Sequence, residues 1–486
     1  MGWDLVLLMV VPAVAGVACW WAPVSVGRAI GLTSGVLTFV LAVLLVPSGH
    51  AEALGSWLRV DPLSVVFLVA IGFLYPLTMA FAVGYLHPAG DPDAVARYHR
   101  RVLAGLNLFC WAMVVAPLMN SLALLWVAIE VTTVISALLV AVDDTPGATE
   151  AAWKYVLIAS MGLGIALFAT IVVYYAGSTV LGNGYELFIP QLLAHARHFP
   201  SQAVRLAFVL AVLGFGTKVG FVPVHTWLPD AHSEAPTPVS ALLSGALLAM
   251  SFYAVLRYFQ VAVRTLGGTF PRDVLLAFGI ASLVLAALSL SAQRDLKRLL
   301  AYSSIEHMGI LAIGMSFAAP IAVAGVLLQV LAHAAAKGTA FFGAGSIVRR
   351  FGTKDMARIR GGIAALPWSG PLFVLAILGL SAMPPFGIFR SEFQIVEGGL
   401  SDPQDAVVAV LVVLVVLAFA GLSWFSTRTM FSPSSGQTAV ARGEPSAWIV
   451  GAMAVGIVAL AVLGVHPPGQ LSQLLSRAAS ELGAPR

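Results

Sequence analysis

The chain has only two cysteines in 486 residues, Cys19 and Cys110, in separate apolar stretches. An iron–sulfur cluster usually needs about four thiolates and a structural zinc site a clustered set, so this chain alone offers neither. Charge is nearly as scarce: Asp, Glu, Lys and Arg make up 10% of the residues. The net charge of +4 is spread over many short connections, which leaves no patch fit for nucleic acid. Three motifs are missing as well. There is no GxxxxGK(S/T) phosphate loop and no GxSxG nucleophile elbow, and Gly214-Phe215-Gly216 follows no strand that would make it a dinucleotide fingerprint. ATP-driven or covalent catalysis is therefore not indicated, no bound cofactor is expected, and any redox chemistry belongs to a partner.

What the chain does have is apolar length. Hydrophobic residues make up 59%, far above a soluble domain, and uncharged runs recur from end to end. With roughly 17–25 apolar residues needed per span, about fourteen segments emerge. They cover approximately 4–21, 26–46, 62–86, 101–119, 121–142, 150–175, 203–224, 236–260, 272–292, 298–318, 320–347, 369–389, 405–430 and 447–466. The first lacks a basic leader and reads as a span rather than a cleavable signal. The expected fold class is thus an all-α polytopic membrane protein. Basic residues on connections after odd-numbered segments outnumber those on the other side by about fifteen to nine, Arg486 among the latter. By the positive-inside rule both termini should lie outside the cell membrane.

Two segments are interrupted. The seventh carries Gly214, Gly216, Gly220 and Pro223 around Lys218; the twelfth carries Pro384, Pro385 and Gly387 ahead of Glu392. Broken spans at corresponding positions, five segments apart, point to two inverted repeats of a transporter. The expected units are 1–100 (three N-terminal helices), 101–265 and 266–432 (two five-helix repeats, helices four to eight and nine to thirteen), and 433–486 (the last helix and tail).

Ionisable groups at bilayer depth carry a functional reading by default, since a central charge costs roughly 2.5–3.5 kcal/mol on insertion scales. Lys218 sits in LAFVLAVLGFGTKVGFVPV, and Glu130 lies deep in SLALLWVAIEVTTVISALLVAV. A carboxylate beside the lysine favours its charged form while burial favours the neutral amine, so moving or protonating Glu130 would release the proton from Lys218. The plainer alternatives are a protonated core carboxyl and a lysine that ties down helix carbonyls. His333 and Lys337 fall at i and i+4 in LLQVLAHAAAKGTAFFGAGSI, on one helical face, where an imidazole can accept and donate. His307 in AYSSIEHMGI can join them, while Glu306 beside it points elsewhere on that helix. Glu392 closes the row as an exit group or an interfacial carboxylate. Lys154 is a further relay candidate, or a side chain snorkelling from a helix end. The loop HTWLPDAHSEAP holds His225, Asp230, His232 and Glu234 without regular ligand spacing, so a polar, water-lined connection to Lys218, with His225 a relay candidate, is preferred to a metal site.

The string GTKVGFVPVHTWLPDAHSEAPTPVSALLSG resembles the antiporter-like membrane subunits shared by respiratory complex I, multisubunit cation/proton antiporters and membrane-bound hydrogenases. EVTTVISALLVA, EAAWKYVLIASMGLGIAL and AYSSIEHMG look most like the F-type membrane subunit of hydrogenase-four and formate hydrogenlyase complexes. The resemblance implies fourteen core helices with a midplane row of charged residues. It places that row on Glu130, Lys218, His333, Lys337 and Glu392. Relatives in complex I carry another lysine in the eighth helix, where this chain has Ala249, so water would have to bridge the centre. The sequence after the fourteenth segment is too short for the long lateral helix of the largest relatives. The expected role is a proton-translocating, non-catalytic subunit of a redox complex, with a nickel–iron hydrogenase module among its partners. The rival readings are a sodium/proton antiporter subunit and a scaffold that moves no ions.

Overall fold

The computed structural model describes residues 2–86, 90–433 and 441–482. In chain order the elements are α1 (Trp3–Trp21), α2 (Val24–Leu44), β1 (Ala51–Ala53), β2 (Leu58–Val60), α3 (Pro62–Tyr85), α4 (Pro92–Leu118), α5 (Leu122–Val140), α6 (Pro146–Leu181), α7 (Ile189–His195), α8 (Ser201–Val219), α9 (Trp227–Glu234), α10 (Thr237–Leu242), α11 (Leu248–Leu266), α12 (Thr269–Leu290), α13 (Leu296–Ser316), α14 (Pro320–Phe351), α15 (Gly362–Ala365), α16 (Ser369–Leu380), α17 (Gly387–Ser401), α18 (Asp405–Phe431), α19 (Ala447–Val465) and α20 (Gly469–Glu481). A π-helical turn over Leu243–Leu247 joins α10 and α11 into one rod. Counting that rod as one, twelve described helices are long and apolar enough to cross a membrane. They coincide with twelve of the expected segments. The tenth expected segment is α13, made more polar by Ser303, Ser304, Glu306 and His307, and the twelfth is the divided pair α16 and α17.

Helix starts follow local chemistry. Asp61, Asp91 and Thr145 each cap a helix whose first residue is proline, which has no N–H to leave unpaired. Asp295 accepts from the backbone N–H groups of Lys297 and Arg298 at 2.8 and 2.9 Å. Burial then sorts the bundle. The α10–α11 rod is 100% buried and α14 89% over their most apolar stretches, against 28% for α18. Two central rods therefore carry the interior, and α18 gives most of its surface to the membrane. Polar side chains survive inside because they face neighbouring helices, as Lys218 of α8 does Thr132, Thr133 and Tyr155 of α5 and α6.

The seventh-segment break is shorter than expected. α8 runs unbroken through Gly214 and Gly216 and stops at Gly220, which takes the left-handed conformation (φ +87°). Gly214 serves packing instead: a Cβ there would lie 2.5 Å from the backbone nitrogen of Ala166 on α6. Lys218 thus stands in the last turn of a continuous helix. The twelfth-segment break falls over 381–386, between α16 and α17. Each connection contains a cis X–Pro bond, Val222–Pro223 and Pro384–Pro385.

The elements β1, β2, α7, α9, α15 and α20 were not anticipated. β1 and β2 form an antiparallel hairpin with Glu52 opposite Arg59, joined by a 3.2 Å ion pair. The loop around Pro229 is helical (α9), the proline lying in the first turn where N–H groups lack helical partners. The amphipathic α20 packs back on the bundle, with Arg477 donating to the carbonyls of Val46, Pro47 and Ser48. Gly2 lies against Glu52 and Ala53 of the hairpin, so α1 starts on the face that α20 covers. Met1 and Arg486 lie outside the described residues.

Candidate functional site: a row of buried ionisable groups

Lys218 is fully buried, and its ammonium is caged by hydroxyls. Nζ donates to Thr132 Oγ1, Thr133 Oγ1 and Tyr155 OH, each at 2.9 Å. An ammonium has three donors, and three acceptors meet them. The cage is held in turn: Thr132 donates to the Ile129 carbonyl at 2.6 Å, and Tyr155 OH lies 2.7 Å from Ser136 Oγ. Hydroxyls rotate and can donate as well as accept, so the same cage also suits the neutral amine, which needs one donor in return. Glu130 stands one turn before this cage on α5 and makes no direct ion pair with Lys218. Its Oε1 accepts from Ser160 at 3.4 Å, and its buried Oε2 has no partner among the described residues. Between α5 and α6, a cleft of about 300 Å³ reaches Thr133 and Ser160, the hydroxyls that touch Lys218 and Glu130. No salt bridge joins the two ionisable groups; hydroxyls from the surroundings of each line the cleft between α5 and α6.

The second cluster is built from rings and an amide. His333 and Lys337 share a face of α14 and are both fully buried. Lys337 Nζ donates to the Leu300 carbonyl at 2.9 Å and to Ser303 Oγ. His333 Nε2 lies 3.3 Å from the Ser244 carbonyl, inside the π-helical turn. Its ring meets His307 edge-on, centroids 5.1 Å apart. Gln329 Nε2 stands 3.2 Å from His307 Nδ1 and 3.5 Å from Glu392 Oε1, and His307 Nδ1 is 3.8 Å from that oxygen. His333, His307, Gln329 and Glu392 thus form a string. Glu392 ends it beside a cleft of about 230 Å³ walled by Phe389, Phe393 and Val412. Among the described residues, His333 Nδ1, His307 Nε2, Gln329 Oε1 and the neighbouring Glu306 Oε2 are buried with no partner. Buried polar atoms are rarely left unpaired, which makes this string a place for ordered water.

Lys154 stands apart. Only eight residues into α6, its exposed side chain pairs with Glu150 at 2.7 Å and Asp230 at 3.3 Å, and Arg298 takes the other Asp230 oxygen at 3.1 Å. It ties α6 to α9 at the surface. His225 lies on the connection from α8 to α9, its Nδ1 buried without a partner. Among the described residues no three His, Cys, Asp or Glu side chains converge to hold a metal ion.

Between the clusters the Ala249 methyl offers nothing. His232 does: it is fully buried, its Nδ1 is 2.8 Å from the Leu228 carbonyl, and its Nε2 has no partner among the described residues. Its ring follows Tyr155 and Trp227 and precedes Phe341, with centroid steps of 4.5, 6.1 and 5.9 Å. These rings lead from the Lys218 cage to a residue one turn beyond Lys337. Sequence reasoning placed His232 in a loop read as a polar connection to Lys218 in preference to a metal site, without singling it out. It missed Tyr155, Thr132, Thr133 and Gln329, whose one legible signal was a polar group inside an apolar run.

A model of the transmembrane family described as NADH:quinone oxidoreductase/Mrp antiporter matches residues 119–418. The chain belongs to that family. The matched stretch holds every buried ionisable side chain of the row. A hydrogenase-4 component F homolog from Methylacidiphilum infernorum is 33% identical, over 80% of this chain and 82% of its own length. Two solved structures share the fold. An archaeal membrane-bound sulfane sulfur reductase complex has a chain matching at TM-score 0.85 and 19% identity, covering 98% of this chain and 97% of its own. The Mrp complex of a Dietzia species has one at 0.83 and 19%, covering 99% and 98%. This family member is a multi-pass membrane protein with the antiporter-like fold.

Proposed function

We propose that the chain is a proton-translocating subunit of a multisubunit, redox-driven membrane complex of the hydrogenase-4 type. The observation that carries this reading is the fully buried Lys218 in a cage that suits both its protonation states. A lysine needed only to pin helix carbonyls would donate to carbonyls, as Lys297 does to Ser233 and Ala235. In this reading the proton is taken up at Lys218 from the cytoplasmic side, and Glu130 modulates it through the intervening hydroxyls. His232 and bound water carry it across the gap at Ala249. It then reaches His333 and Lys337, passes along His307 and Gln329, and leaves by Glu392. Imidazoles suit the middle of such a path because each ring accepts at one nitrogen and donates at the other. The membrane is the cell membrane, with both termini outside, and the partners include a nickel–iron hydrogenase module. Residues 101–265 and 266–432 are the two inverted units, each with one interrupted helix and a buried ionisable cluster.

The test uses the whole complex in sealed vesicles, reading electron transfer and vesicle acidification together. With Glu130→Gln, Lys218→Met and His333→Ala combined, electron transfer should persist while acidification is lost. Full acidification by the triple variant would leave only a scaffold role. Acidification that requires sodium would make the chain an antiporter subunit instead.

A further inference from the structure

An apolar shaft of about 280 Å³ opens between α2, α3, α14 and α19, beneath the start of α20. Phe39, Val43, Phe73, Leu331 and Val462 form its walls, and Leu471 of α20 overhangs its mouth. Its depth can be read along α3, which starts at Pro62 close to Gly49 and Arg477, on the face that α20 covers. Phe73 is eleven residues further on, about 16 Å at 1.5 Å per residue. Half of a hydrocarbon core about 30 Å thick is about 15 Å. The shaft therefore runs from that face to the middle of the membrane, the reach of one acyl chain of one leaflet.

The mouth is polar. Val46 and Leu471 line the shaft, and the residues that follow each of them, Pro47 and Ser472, line an open recess with Gln473, Ser476 and Arg477. Arg477 donates to three backbone carbonyls but pairs with no carboxylate among the described residues. Carbonyl dipoles orient its guanidinium without neutralising it, so a full positive charge stands over the open end of an apolar slot. A phosphate is a well-matched partner for such a group. An apolar helix of a neighbouring subunit would leave that charge unmet.

We propose that shaft and recess together form a binding site for one phospholipid with an anionic headgroup. One acyl chain fills the shaft, and the phosphate sits over Ser472, Ser476 and Arg477. The site has a consequence for the buried row. Leu331 and Ala335 line the shaft two positions before His333 and Lys337, on the opposite face of α14. A seated chain backs the helix that presents the second cluster.

The experiment compares the wild-type complex with variants carrying Ala459→Trp, which plugs the shaft from α19, and Arg477→Gln, which removes the charge. Each is purified in mild detergent, and its bound phospholipids are counted by native mass spectrometry after exchange into phosphatidylglycerol or phosphatidylcholine. The wild type should keep one more phosphatidylglycerol than Ala459→Trp. Arg477→Gln should lose the preference for phosphatidylglycerol over phosphatidylcholine by several-fold. Equal lipid counts in all three would overturn the proposal. So would a photo-crosslinker at Phe73 that captures a partner subunit's helix instead of lipid. If Ala459→Trp does not assemble, Val43→Trp at the half-open rim serves the same comparison.

Discussion

The two buried clusters solve one problem in different ways. Around Lys218, three hydroxyls surround a single amine, and the nearest carboxylate stays out of direct contact. Around His333, two imidazoles and an amide are laid end to end toward Glu392. The first arrangement can hold the amine charged or neutral, because its hydroxyls turn between accepting and donating. The second passes one along, because each ring has one partnered nitrogen and one that has no partner among the described residues. The difference teaches that storage and transfer need different neighbours: rotatable groups for one, aligned two-ended groups for the other.

The contrast can be broken at its strongest point first. His333→Ala interrupts the string, and acidification should fall by a factor on the order of a hundred, the low end of what a positioned proton-transfer group supplies. Electron transfer in the same complex is the control. Tyr155→Phe tests the cage: it removes one of three acceptors from a charged donor, about 1.5–3 kcal/mol. The stored proton should be held less firmly, so acidification should fail first on the alkaline side of its pH profile, with the acidic side retained. Gln329→Leu sharpens the comparison further. It removes hydrogen bonds of a neutral amide, about 0.5–1.5 kcal/mol each, and the rate should drop only about two- to tenfold, because water can replace an amide more easily than a ring.

The smallest effect is expected at the edge of the molecule. Glu481 ends α20, and burial, with repulsion from Asp61, raises its carboxyl to about 7 despite Arg257 nearby. A carboxyl raised in the folded state favours docking while it is protonated. Docking of α20 should therefore weaken as pH rises from the ordinary carboxylate range to about 7, and then level off. Hydrogen exchange of α20, corrected for its intrinsic pH dependence, reads this. Glu481→Gln should flatten it.

Much of this was legible before any coordinates, for a physical reason. A lone charge in an apolar run has few bland explanations, so Glu130, Lys218, His333 and Lys337 stood out, and the run lengths fixed most helices to within a few residues. What stayed hidden shares a cause. Thr132, Thr133, Tyr155 and Gln329 are neutral, and one neutral polar side chain in a buried helix looks the same whether it packs or carries a proton. Gly214 and Gly220 are one letter with two uses, close helix approach and a left-handed stop, and periodicity does not separate them. α9 was hidden by Pro229, which breaks helix interiors but not first turns. The Lys154 ion pairs depend on α9 lying over the start of α6, a tertiary fact that no local pattern encodes.

The most direct test of the central claim is the number of protons moved per electron pair by the intact complex carrying Lys218→Met. Methionine fills much the same volume without a titratable nitrogen, so assembly and electron transfer should survive. The account expects the ratio to fall by the whole contribution of this subunit, at every pH tried. A ratio equal to wild type would contradict it, and Lys218 would then be a buried strut rather than a proton carrier.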